Sequence, residues 1–234
     1  MRAALAAAVF VFSAHGAFAL DAASESAALA MLHAAAADAQ AHASDRYAFT
    51  VEHWSDNGER QFSMKLRYDP RLPEAGRWSM IGAVDKDDQK AAESALKQFK
   101  EGGDAGNYLL YDTLADALEG AVLKSDTASE AVFALPVADE DLPPDAVEVL
   151  VTLDKATGHV VKTTVHSIKP FKPAAVAKVN ALRQDTTYVA LGDGGPPVIS
   201  VSESEVEGKA MFKSFKSRSR QVYTDVERID PPAE

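Results

Sequence analysis

An α+β fold, in which a curved antiparallel half-barrel sheet of about ten to eleven strands carries an N-terminal helix and two further helices packed on one side, follows from three features of the sequence. Residues alternate with period two on both sides of Asn57-Gly58, strictly apolar and polar over residues 62–68. An alanine-rich stretch precedes this hairpin. From Ala121 onward the chain reads as strands joined by tight turns, of which EVLVTLDKATGHVVKTTVHSI at residues 148–168 is typical.

The chain opens with one cation, Arg2, an apolar run at residues 3–12 and the triplet Ala17-Phe18-Ala19. This is the pattern of a secretory signal peptide at residues 1–19, followed by a single half-barrel-like domain at residues 20–234. The run falls short of the roughly 20 apolar residues of a spanning helix, and no longer one follows, so no transmembrane segment is expected. The sequence contains no cysteine, which removes disulfides, thiol nucleophiles and cysteine-linked lipid anchors. The expected location is therefore the periplasm, after export across the inner membrane and without a lipid anchor. With 24 basic and 35 acidic residues and a formal charge of −11, the chain is not expected to bind nucleic acid, nor an anionic membrane as its main partner.

Residues 22–43 carry Leu29 and Leu32 three apart in an alanine background, with Ser24 as a candidate cap. Tyr47, Phe49 and Val51 then alternate with Ala48, Thr50 and Glu52, and after the turn Phe62, Met64, Leu66 and Tyr68 alternate with Ser63, Lys65 and Arg67, so each run is a strand with one buried face. Asn57-Gly58 supplies the positive φ angles of the hairpin turn. Pro70, Pro73 and Gly76 interrupt the ladder before a short strand at residues 77–81. A polar helix follows over residues 85–101, with Ala92, Ala95, Leu96 and Phe99 on one side and Gly102-Gly103 as its stop. Leu110, Leu114 and Leu118 predict another helix over residues 107–119. Strands are then expected at residues 121–125, 130–136, 147–154, 159–168, 176–182, 198–207, 209–216 and 221–229.

Reactive groups are hard to find. The histidines His33, His42, His53, His159 and His166 lack metal-site spacing. Asp85-Lys86-Asp87-Asp88 begins like a calcium loop, but the sixth position is Lys90 and the twelfth Leu96, where glycine and glutamate are needed. Asp139-Glu140-Asp141 precedes two prolines and reads as a solvated loop. Leu191-Gly192-Asp193-Gly194-Gly195 leads through prolines toward a strand, whereas phosphate cradles lead into a helix. No cofactor and no catalytic residue are expected. The one basic concentration is Lys209, Lys213, Lys216, Arg218 and Arg220, read as a hairpin end that guards a sheet edge, with docking of an acidic partner as the other reading.

The order of elements, together with Leu72-Pro73-Glu74-Ala75-Gly76-Arg77-Trp78, resembles the periplasmic lipoprotein-carrier superfamily of the LolA and LolB type. In that family a proline-containing turn feeds a strand that starts with an Arg-Trp pair, and about eleven antiparallel strands wrap an apolar cavity under helices. The chain departs from it in the polar helix at residues 85–101 and in lacking the acylated cysteine of the LolB type. The resemblance implies a carrier for a lipid or acylated ligand, with Arg77 closing the lid or meeting a polar head.

Physical chemistry supports the cavity independently. Exposing an acyl chain costs about 0.8 kcal/mol per methylene, so a chain of about fourteen carbons costs on the order of 10 kcal/mol. A soluble carrier must offer an apolar wall instead, and Phe62, Met64, Leu66, Tyr68, Trp78 and Met80 are the candidates, with Arg77 beside them. The competing reading packs these side chains as ordinary core under the alanine-rich helix. The leading expectation is thus a non-enzymatic periplasmic binding or carrier protein. The alternatives are an envelope scaffold or protein-interaction module with a filled core, and a hydrolase whose site is assembled by the fold.

Overall fold

The computed structural model describes residues 22–84, 86–101, 109–137, 142–174, 177–192, 194–211 and 213–229. The segments read as a signal peptide, as the Gly102-Gly103 stop and as the Asp139-Glu140-Asp141 loop lie outside these residues. Helix α1 (Ala22–Ala41) leads into strands β1 (Arg46–Asp56), β2 (Gln61–Tyr68) and β3 (Trp78–Ile81). Helix α2 (Gln89–Glu101) follows, then β4 (Val122–Asp126), β5 (Glu130–Leu135), β6 (Val147–Asp154) and β7 (His159–Ser167). The chain ends with β8 (Phe171–Ala174), β9 (Ala177–Val189), β10 (Val198–Ala210) and β11 (Lys213–Ile229).

All eleven strands form one curved, open antiparallel sheet in the order β3-β2-β1-β11-β10-β9-β7-β6-β5-β4, with β8 attached to β9. The strand that closes the chain therefore sits in the middle of the sheet, between β1 and β10. The predicted half-barrel with helices on one side is what the structure shows, and its details differ in four places. Residues 112–117 form a 3-10 helix, Asp112–Ala117, and not a full α-helix. Residues 209–216 and 221–229 are not two strands: the first few residues end β10, and the rest belongs to the 17-residue β11. The short β8 and the length of β9 were not expected. Finally, Ser24 is no cap, because α1 already begins at Ala22 and the Ser24 hydroxyl donates to Asp126 at the end of β4.

Turn residues behave as their chemistry requires. Gly58 and Gly158 both take positive φ, 83° and 72°, where a side chain would be strained; Asn57, expected to do the same, does not, and its side chain instead accepts from the Glu59 and Arg60 backbone N–H groups. Asp56 accepts from the Gly58 backbone N–H at 2.8 Å, which fixes the β1–β2 turn.

The helix-bearing face is built from two separate apolar clusters. Ala28, Leu32, Ala35, Ala36 and Ala39 of α1, at helical spacing, pack on Leu123, Phe133, Val151, Leu153 and Val160 of β4 to β7. At the other end, α2 lies over β1 to β3. Leu109, Leu110 and Tyr111 are buried between these regions, and the Tyr111 ring meets Tyr188 of β9 edge-on at 5.2 Å. Lower down, the same face of the central strands is polar: Ser202 and Ser204 stand opposite Gln221 and Ser219, and Thr186 stands opposite Ser202.

The opposite face is a charged one. Lys65 pairs with Glu52 at 2.7 Å, Arg218 with Asp56 at 2.6 Å, Arg220 with Glu203 at 3.0 Å, and Lys216 with both Glu205 and Glu207. Such exposed cross-strand pairs contribute about 0–1 kcal/mol each. Their main effect is to set register and solubility.

Candidate functional site

Helix α2 and the hairpin-plus-strand beneath it form the candidate site. The helix presents Ala92, Ala95, Leu96 and Phe99 to the sheet while its lysines and glutamate face water, a stripe three to four residues apart. Alternation in β2 turns Phe62, Met64, Leu66 and Tyr68 toward it, with Leu66 and Tyr68 fully buried. Register then sets Trp78 opposite Tyr68 and Met80 opposite Leu66.

Six of the seven residues named from the sequence thus converge on one cluster. Arg77 does not join it: its side chain turns to the preceding loop, where Nε donates to the Leu72 carbonyl at 3.3 Å. The helix that covers the cluster is α2, and not the alanine-rich α1, which occupies the far end of the sheet. Fully burying side chains of this size contributes roughly 1.5–3 kcal/mol apiece, so the cluster is also a large part of this end's stability.

The rings are organised around Trp78. Its centroid lies 4.9 Å from Tyr68, 5.7 Å and edge-on from Phe49, and 5.0 Å from Phe99 of the helix. Phe99 also meets His53 edge-on at 6.1 Å, and Tyr223 of β11 closes the group against Phe49 at 5.6 Å. Phe49, His53 and Tyr223 were not among the site residues expected from the sequence. The signal for the first two was present, because Phe49, Val51 and His53 share one parity along β1.

Two polar atoms in this apolar group have no hydrogen-bond partner among the described residues, the indole Nε1 of Trp78 and Nδ1 of His53. Trp78 is only 6% exposed. A buried donor left unpaired costs about 1–3 kcal/mol. Burial also pulls the His53 pKa below its ordinary value, which favours the neutral ring. Tyr223 is pushed up to about 12 by burial and keeps its proton, donating to Gln221 at 2.8 Å.

The helix is moored lightly. Arg60 of the β1–β2 turn region bonds Asp88 and the Asp87 carbonyl just before α2. At the other end Lys100 Nζ donates to the Ala75 carbonyl at 3.4 Å. Met64 and His53 also border a hollow of about 380 Å³ beside β3, which Glu52, Lys65 and Arg220 share.

Compared with known proteins, the chain matches no family model, no curated protein and no solved structure. No group of three or more metal-ligating side chains is found among the described residues, and no described helix is long and apolar enough to cross a membrane.

Proposed function

We propose that this chain is a non-enzymatic binding or carrier protein of the periplasm for a lipid or acylated ligand, with β1 to β3 as the wall of the site and α2 as its lid. The observation that carries this reading is the unpaired indole N–H of Trp78 at the centre of an apolar cluster that a single amphipathic helix covers. A ligand's ester or amide carbonyl would accept from that N–H while its hydrocarbon replaced the helix against Met64, Leu66 and Met80. The exchange is energetically reasonable. The polar ties that hold α2 are exposed and contribute about 0–1 kcal/mol each, so the main loss is the packing of Ala92, Leu96 and Phe99 on the sheet, which the guest's hydrocarbon would replace. An acyl chain of about fourteen carbons brings on the order of 10 kcal/mol of burial.

Native mass spectrometry of the protein recovered from periplasm without detergent tests this. An adduct with the mass of an acyl lipid, lost on organic extraction, is expected, and Trp78→Phe is expected to weaken fatty-acid probe uptake about fivefold. Ligand-free protein that also takes up no probe overturns the reading. One observation favours the second reading, an envelope interaction module with a filled core: the Ser202, Ser204, Ser219 and Thr186 floor is polar, where a long hydrocarbon guest would need an apolar surface. Co-purification of a stoichiometric protein partner, without any lipid mass, is its expected signature.

A further inference from the structure

The strongest unassigned feature is the free end of the central strands. The β1–β11 ladder stops at Asp56 and Arg218, whereas β10 and β11 continue pairing to Ala210 and Lys213. The hairpin therefore projects beyond β1 by residues 213–217, roughly 17 Å of strand. β8 and β9 run out alongside it.

Successive rows across this projection differ sharply in character. The outermost row runs from Ala174 through Ala177 and Ala210 to Lys213, three alanines ending in one lysine. Met211 follows at the apex, 74% exposed and with φ of 44°. Behind the alanines Lys178 stands directly opposite Lys209, with Ser214 next to Lys209 on β11 and Lys172 on β8. The third row is Phe171, Val179, Gly208 and Phe215, with the Phe215 ring seated over Gly208.

Of the five basic residues clustered in the sequence, Lys216, Arg218 and Arg220 are neutralised by carboxylates. Lys209 and Lys213 are not, nor are Lys172 and Lys178, none of which forms an ion pair among the described residues. Glu59 is the one remaining carboxylate on the rim of the adjoining hollow, since Glu207 is held by Lys216. Like charges placed directly opposite on neighbouring strands are unfavourable, so the Lys178–Lys209 pair has no structural rationale. The edge-guarding role expected for the cluster suits Lys213 and Lys216, whose part of β11 runs past the end of β1, but not Lys178 and Lys209, which face each other on paired strands.

We propose that this end of the sheet docks end-on to an anionic lipid surface, with Met211 and the alanine row entering the headgroup region and Lys172, Lys178, Lys209 and Lys213 meeting lipid phosphates. The arrangement of an apolar apex ringed by unpaired cations on both faces suits a boundary that is hydrocarbon on one side and negatively charged at its rim. An acidic protein would use the lysines but give no role to the exposed apex. The net charge of −11 does not prevent docking, since repulsion from the rest of the chain is screened beyond about 8 Å at physiological salt.

Vesicle flotation with the protein recovered from the exporting cell tests this, using phosphatidylcholine vesicles with and without phosphatidylglycerol. The substituted residues are exposed, and circular dichroism checks that the fold is kept. Binding only to the anionic vesicles is expected, weakened by added salt. Lys209→Gln with Lys213→Gln should reduce it by about 25-fold, fivefold per lysine, and Met211→Ser should reduce it further without changing the salt dependence. Absence of flotation, or flotation indifferent to these variants, overturns the proposal. So does lysine-dependent capture of polyglutamate without vesicle binding, which would assign the end to an acidic polypeptide.

Discussion

The ring of Phe99 lies 5.0 Å from that of Trp78, tilted by 50°, and joins α2 to the sheet through an aromatic contact. Aromatic pairs of this kind contribute about 0.5–1.5 kcal/mol beyond simple burial. Phe99→Ala is therefore expected to speed hydrogen exchange in α2 selectively, with a much smaller loss of global stability than its full burial would imply, because Phe99 is only partly buried. Exchange mass spectrometry checks this, and uniform acceleration across β1 to β3 would contradict the lid role.

Leu66 and Trp78 offer a contrast within the same cluster. Leu66 is completely buried, so Leu66→Ala is expected to cost about 2–5 kcal/mol in urea denaturation. Trp78→Phe loses ring volume but removes the unpaired N–H, and the two effects oppose each other to within about 1–2 kcal/mol. A loss from Trp78→Phe as large as that from Leu66→Ala would mean that the indole N–H is satisfied in the free protein.

Gly208 is held by close approach and not by backbone conformation. A Cβ there would lie 2.4 Å from the Lys178 carbonyl oxygen and 2.6 Å from the Phe215 ring. Gly208→Ala is expected to destabilise by about 1–3 kcal/mol. Adding Phe215→Ala should not restore stability, because the backbone oxygen remains. Thermal melts of the single and double variants decide it.

Acid sensitivity should trace partly to Asp185. Burial alone would raise its carboxyl, but Thr164 at 2.6 Å, Arg183 and Lys162 together outweigh it and bring the pKa down to about 2 from the ordinary 3.8. A group depressed in the folded state contributes stability above its unfolded pKa and loses it as pH falls through the folded value. Stability should decline between about pH 4 and pH 2, and Asp185→Asn should flatten that part of the curve while lowering stability at neutral pH. An unchanged acid slope in the variant would remove Asp185 from the account.

The fold was largely legible because period-two alternation in β2 and β6 and the glycines at 58 and 158 are local signals that tertiary packing reinforced, whereas β1, read as a strand with one buried face, is buried on both faces from Tyr47 to Val51. Three things escaped local reading for physical reasons. The union of residues 213–229 into one strand depends on pairing with β1 and β10, which sequence spacing does not encode. The leucines at 110, 114 and 118 keep a helix-like spacing and are all buried, yet only Leu114 lies within the short 3-10 helix, with Leu110 before it and Leu118 capping it. Six of the candidate site residues were found by strand parity, but Arg77 was placed by resemblance alone, and its side chain serves the turn.

The position of β11 shapes the life of the chain before it folds. Arg46 at the start of β1 is matched by Ile229 near the C-terminus, and pairings of that separation are slow to form. During synthesis the β1–β3 unit has nothing to complete its inner flank until the last strand emerges. The middle of the sheet is therefore the part of the molecule that assembles late.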